Sequence, residues 1–246
     1  MQINLPILYE DEHMVAINKP AGLLVHRSHV SKDEPTVVDW FLARYPTAHD
    51  VGEEQVLADG TRIRRPGVVH RLDKETSGVL VLAKTKKGYS ALKEQFLSRN
   101  VRKKYVALVH GTPVQPSFVV DRPIAKHMRD FRRFTSLGGK GGGRPAETNV
   151  VVIERFDRFA LVDVCPLTGR THQIRVHLAD EGYPVVCDRR YAQNRVCPPA
   201  PIVGLRRQAL HAASLTLVSP SKTEPITVNA PLADDIVTAI AELKGV

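Results

Sequence analysis

Residues 68–85 read VVHRLDKETSGVLVLAKT. An apolar pair enters, a polar stretch of charged and hydroxyl residues follows, and an unbroken apolar run at 79–83 leaves. Runs this short, rich in Val and Leu, read as two buried strands with a loop held between them. The loop places Asp73 between Arg71 and Lys74. A carboxylate near cations stays ionised, which suits a nucleophile or base better than a proton donor. Taken alone, Asp73 reads better as a residue that merely ties its loop together with Thr76 and Ser77.

Working outward, strands and helices alternate without the regular spacing of βαβ units. Residues 14–18 and 22–26 read as strands around the KPAG turn. Thr36 with Asp39 three positions on forms a capping box, and Val37, Val38, Phe41 and Tyr45 give the helix behind it an apolar face. Asp59-Gly60 suggests a short hairpin. Tyr89, Leu92 and Phe96 mark a second helix, and residues 105–109, 150–153, 161–164, 215–218 and 226–229 read as strands. Residues 171–181 and 234–243 read as helices, with His172, Arg175 and Ala179 sharing one side of the first. Strands outnumber helices and many are joined by hairpins. The expectation is an α+β protein, a single catalytic domain over residues 1–246 around a mixed, largely antiparallel sheet with flanking helices.

The 246 residues are 43% hydrophobic and 25% charged, which excludes wholesale disorder and fibrous repeats. No apolar run approaches the roughly 20 residues a membrane-spanning helix needs, and Glu10, Asp11 and Glu12 interrupt the short apolar start, unlike a targeting peptide. Three cysteines (Cys165, Cys187, Cys197) form no CxxC pair and make a poor disulfide framework, so a reduced, cytoplasmic protein is expected. The net charge of +9 suits a polyanionic partner, because each neutralised phosphate releases counterions. Basic residues gather at Arg62, Arg64 and Arg65, at Arg99, Arg102, Lys103 and Lys104, and between Arg122 and Arg144. The last cluster includes Arg129, Arg132 and Arg133 and ends in LGGKGGGR (137–144), which reads as a mobile basic loop or hairpin tip. It lacks the GKS or GKT ending of a phosphate-binding P-loop.

Two further segments are polar where a loop would vary freely. In RKKYVALVHG (102–111), Lys103 and Lys104 precede a strand that begins with Tyr105, placing an aromatic ring beside a phosphate-attracting patch. Readers of single-stranded RNA use that pairing, although a strand-end tyrosine in a core reads the same way. In PLTGRTHQIRVHLADEGYP (166–184), His172 and His177 stand five apart with no acid between them, so no metal site is expected. Arg175, in an otherwise apolar stretch, calls for a carboxylate partner, and Asp73 is the candidate.

HRLDKETSG, the Lys103-Lys104-Tyr105 element and GRTHQIRVHL together resemble the three signature motifs of the RluA-type pseudouridine synthases. ILYEDEHMVAINKPAGLLVH (7–26) and LHAASLTL (210–217) resemble the same family, in the same order, so the likeness runs from about Ile7 to Pro231. One departure is Cys187-Asp188, where the family usually has Gly-Asp. Another is the expectation that no separate N-terminal RNA-binding domain is present, which leaves the catalytic domain to hold its substrate.

The resemblance implies the pseudouridine synthase fold and an isomerase that cuts uracil from its ribose at nitrogen and rejoins it through carbon 5. It implies no cofactor and no metal, since nothing is added or lost. Asp73 matches the family's nucleophilic aspartate, and attack on carbon 6, attack on the anomeric carbon and removal of a sugar proton all stay open. Arg175 matches the arginine that pairs with that aspartate. Tyr105 matches the tyrosine that stacks on the base and assists proton removal from carbon 5. Arg71 matches the position that fills the gap left by a flipped-out uridine. From charge, Lys103, Lys104, Arg129, Arg132 and Arg133 are expected to contact phosphates of a ribosomal or transfer RNA stem-loop; no membrane partner and a monomer are expected. A non-catalytic RNA-binding module on the same fold is the alternative, and a carboxylate glycosidase would need a second positioned acid that Glu75 does not supply.

Overall fold

A computed structural model of the chain describes residues 3–27, 34–56, 60, 62–130, 133–192, 202 and 204–245. In chain order the elements are β1 (Ile7–Glu10), β2 (Met14–Lys19), α1 (Val37–Arg44), β3 (Glu54–Val56), β4 (Arg62–Arg64), β5 (Ser77–Ala83) and α2 (Lys86–Leu97). There follow β6 (Arg102–His110), β7 (Ser117–Asp121), β8 (Ile124–Lys126), β9 (Phe134–Thr135), β10 (Lys140–Arg144), β11 (Glu147–Arg155) and β12 (Phe159–Pro166). The chain ends with α3 (Gln173–Asp180), β13 (Leu210–Val218), β14 (Pro225–Asn229) and α4 (Asp234–Lys244). It divides into two compact units, one of residues 1–102 and 214–231 and one of residues 103–213 and 232–246. The class is α+β, as expected, with a mixed, mostly antiparallel sheet.

In the first unit, β1, β2, β5 and the later part of β13 follow one another, and β14 pairs with β13. The β2–β5 ladder runs from Met14 opposite Ala83 to Lys19 opposite Gly78. Every residue of β5 is buried, as its unbroken apolar run requires. The turn between β1 and β2 is built by Asp11, whose carboxylate accepts the backbone N–H groups of His13 and Met14 and the Tyr9 hydroxyl. Thr36 and Asp39 form the expected reciprocal cap on α1. The stretch 22–26 is not a strand. Its carbonyls at Leu24 and Val25 accept from Val37 and Val38, so they satisfy the first turn of α1 instead of a sheet. Val68 likewise makes only an isolated bridge to Leu82, so a loop rather than a strand enters the Asp73 segment. β3 pairs antiparallel with β4, and Asp59 of the turn expected between them lies outside the described residues.

In the second unit the order is β13, β6, β12, β11, β7, with antiparallel ladders joining β6 to β12, β12 to β11 and β11 to β7. Leu108, Val109, Val162 and Val164 fill the core together with Ile174 and Leu178 of α3 and Ile236 of α4. The glycine-rich stretch is a loop only over residues 137–139, between β9 and β10; residues 140–144 are β10, which pairs with β8, and β8 pairs with β9. A Cβ at Gly139 would sit 2.6 Å from both the Ala125 Cβ and the Lys126 carbonyl, so glycine is what lets this stretch lie against β8. Cys165 is a free thiol, and Cys197 lies outside the described residues. No helix among the described residues is long and apolar enough to cross a membrane.

Candidate active site

In the first unit, the HRLDKETSG loop is fixed from several sides. His70 Nε2 accepts the Val81 N–H at 3.0 Å while its ring stacks on Phe96 at 4.6 Å, so this histidine is a neutral brace for β5. Asp73 is half-buried, and its backbone carbonyl accepts from Thr76 N–H. Lys19, with no exposed surface, donates from Nζ to the carbonyls of Pro20, Leu23 and Lys74 at 2.8–3.0 Å. Gly22 N–H also donates to the Lys74 carbonyl. Three carbonyl dipoles solvate the buried ammonium in place of water and bind the KPAG turn to the residue beside Asp73. Nothing in the composition of INKPAG singles out Lys19; only its burial reveals this task. Arg71 is exposed, and Lys74 pairs with Glu34 at 2.5 Å.

In the second unit the focus is Arg175, 8% exposed. The sequence pointed to Asp73 as its partner; the carboxylate that holds it in this unit is Asp188, which accepts Nε–H at 2.6 Å and Nη2–H at 2.9 Å. Asp188 is itself anchored, since Oδ1 also accepts the N–H groups of Arg190 and Tyr191. The Tyr191 ring lies 5.1 Å from the Arg175 guanidinium carbon and 5.6 Å from that of Arg133. Burial pushes the Tyr191 phenol up to about 12, so its hydroxyl stays protonated. The oxygen accepts the Phe134 N–H and lies at hydrogen-bond distance, 2.8 Å, from His172 Nδ1. One guanidinium is therefore gripped at its edge by a carboxylate and covered on its face by a ring that is locked in turn.

The remaining motif residues build this helix. Gln173 Oε1 accepts from the Thr168 hydroxyl and Arg170 N–H, and its Nε2 donates to the Glu147 carbonyl and to Thr148. His177 is fully buried, donating from Nε2 to the Arg122 carbonyl and accepting from the Thr148 hydroxyl; burial lowers its pKa and keeps it neutral. Cys187 stands at φ +60°, the left-handed conformation glycine adopts most easily, which explains the usual Gly-Asp at this turn. The sequence named the departure without its cause, and it missed Asp188 and Tyr191, which follow the motif rather than lie in it.

Other expected site residues fall as follows. Tyr105 stands opposite Val164 and packs on the core cluster, half-buried. Lys103 donates to the Thr168 carbonyl at 2.9 Å, tying β6 to the turn before α3. Lys104 is exposed and pairs with Asp163 at 2.6 Å. Arg129 is exposed between β8 and β9, Arg133 is brought to Tyr191, and Arg132 lies outside the described residues. No three His, Cys, Asp or Glu side chains gather as metal ligands among the described residues.

A model of the RNA pseudouridylate synthase family matches residues 13–180, and the chain belongs to that family. The ribosomal large subunit pseudouridine synthase D of Xanthomonas campestris is 38% identical over an alignment 249 residues long that covers 98% of this chain and 70% of that protein. An uncharacterized RNA pseudouridine synthase of Synechocystis sp. is 39% identical over 230 residues, 94% of this chain and 66% of its own length. The chain thus spans about two thirds of the curated relatives it matches. Among solved structures, human RNA pseudouridylate synthase domain containing 4 aligns at a TM-score of 0.73 and 29% identity, covering 97% of this chain and 93% of that one.

Proposed function

We propose that this protein isomerises uridine to pseudouridine in structured RNA, with Asp73 as the nucleophile. The supporting observation is the family match across residues 13–180, which takes in Asp73, Tyr105 and Arg175. The bond from N1 to the anomeric carbon breaks, the uracil turns, and a bond from C5 to that carbon forms. The C5 proton leaves and N1 gains one, so atoms balance with no external reactant. Asp73 opens the sequence; Tyr105 stacks on the base and helps remove the C5 proton. Arg175, already oriented by Asp188 and Tyr191, keeps the nucleophile ionised without reorganising during the reaction. Arg71 fills the gap left by the extruded nucleotide, whose unstacking costs a few kcal/mol.

The substrate proposed is ribosomal RNA of the large subunit, since relatives carry that name; transfer RNA is the other substrate to test. Lys103, Lys104, Arg129, Arg132 and Arg133 contact its phosphates in this reading. The test is digestion of treated ribosomal and transfer RNA transcripts to nucleosides, followed by chromatography. Pseudouridine is expected from the ribosomal transcript. Free uracil would point to a glycosidase, and unchanged uridine with bound RNA to a binding module.

A further inference from the structure

The basic cluster at residues 62–65 lies outside the three signature strings, and its members have unlike surroundings. Arg64 is exposed and meets Asp50 at 3.1 Å and Glu54 at 3.5 Å. Arg65 is half-buried, its Nε is enclosed without a hydrogen-bond acceptor, and among the described residues no carboxylate pairs with it. Cations nearby in sequence are differently served: Arg27 has Asp39 at 2.9 Å, and Lys74 has Glu34. The charge that acts on Arg65 is another cation, Arg71, which adds to burial in lowering its pKa. His26 responds in the same direction, through burial first and then through Arg65 and Arg71, against the hydrogen bond it gives Arg27.

The backbone beneath Arg65 is fixed. Val68 N–H closes a turn onto the Arg65 carbonyl, Gly67 N–H donates to Val51, and Ala83 N–H donates to Gly67. Gly67 has φ +71°, and a Cβ there would come within 2.6 Å of the Phe41 ring. A rigid turn thus holds a partly desolvated guanidinium next to like charge. That arrangement costs free energy in the isolated protein, and an anion removes the cost.

We propose that Arg65 and His26, beside Arg71, seat one phosphodiester of the RNA chain. The inference rests on the reading of the protein as an RNA-modifying enzyme and adds the group that fixes the strand next to the extruded nucleotide. The guanidinium fork matches two phosphate oxygens. His26 spends Nδ1–H on the Arg27 carbonyl at 2.8 Å, so Nε2 donates to the anion only once it takes up a proton, which the phosphate's negative charge favours. Phosphate contacts of this kind set register and carry no sequence information.

The experiment measures binding of a large-subunit ribosomal RNA transcript over a salt series to the intact protein and to Arg65→Gln and Arg65→Lys, with melting of each RNA-free protein. Arg65→Gln should weaken binding about ten-fold and reduce the salt slope by about one, and Arg65→Lys should restore most of the slope. The melting temperature of RNA-free Arg65→Gln should hold or rise, because an uncompensated cation has been removed. A lower melting temperature with an unchanged slope would make Arg65 a structural residue and overturn the proposal. Inorganic phosphate that raises the melting temperature of the wild type but not of Arg65→Gln, with the RNA slope unchanged, would assign the seat to a free anion and overturn it as well. Binding is read without turnover, so a changed slope in a protein that forms no pseudouridine would uphold the seat and sink the enzymatic reading.

Discussion

Arg175 shows what a single residue's surroundings would contribute to the proposed chemistry. Its charge is buried, and a buried charge is tolerable only with its partners in place. Asp188→Asn keeps an oxygen for the backbone N–H groups of Arg190 and Tyr191 but removes the charge that balances Arg175. It should cost about 3–5 kcal/mol, read as a fall in melting temperature of roughly 10 °C. Adding Arg175→Met should recover most of that stability while pseudouridine formation stays lost; recovery of both would remove Arg175 from the mechanism. The sequence marked Arg175 as needing a carboxylate because a charge in an apolar stretch is conspicuous. It could not supply Asp188, because the pairing is made by the fold thirteen positions on and depends on the left-handed turn at Cys187.

At the scale of elements, local chemistry was legible wherever it was decided locally. The capping box at Thr36 and Asp39 and the apolar runs of β2 and β5 need only their own residues. Thr36→Ala should lower stability by about 1 kcal/mol, seen as a lower urea midpoint at unchanged slope. Residues 22–26 and 140–144 were misread because their fate depends on neighbours. The first gives its carbonyls to a helix start, and the second becomes a strand by pairing with β8, which Gly139 lets approach Ala125 and Lys126 closely. Gly139→Ala should open the β8–β10 pairing and expose residues 137–144 to protease, which limited proteolysis would detect. Asp11 adds a pH-dependent element. Burial pushes its carboxyl up, but hydrogen bonds from Ser219, His13, Met14 and Tyr9 outweigh this and leave it below the usual carboxylate value. A depressed folded pKa contributes stability that is present above the unfolded value near 4 and lost as pH falls through the folded one. Asp11→Asn should therefore flatten the acid limb of a stability–pH curve below about pH 4.

For the molecule as a whole, the surplus of +9 was readable from composition, and so was the concentration of cations between Arg122 and Arg144. The uses of those cations were not. Arg122 pairs with Glu181 and Arg133 is drawn onto Tyr191, whereas Arg129 remains exposed. Arg132→Ala with Arg133→Ala should weaken RNA binding and flatten its salt dependence by up to about two units of slope, and an unchanged slope would remove this region from the RNA interface. The reaction itself was legible only through the motif strings, because charge and fold class are shared with proteins that merely bind RNA. Its most direct test is tritium release from ribosomal RNA labelled at carbon 5 of uridine, since forming the carbon link expels that hydrogen while the product keeps the mass of the substrate. Wild-type protein should release tritium in step with pseudouridine, and Asp73→Ala should bind the same RNA and release none. Release that survives in Asp73→Ala would contradict the assignment of Asp73 as the nucleophile.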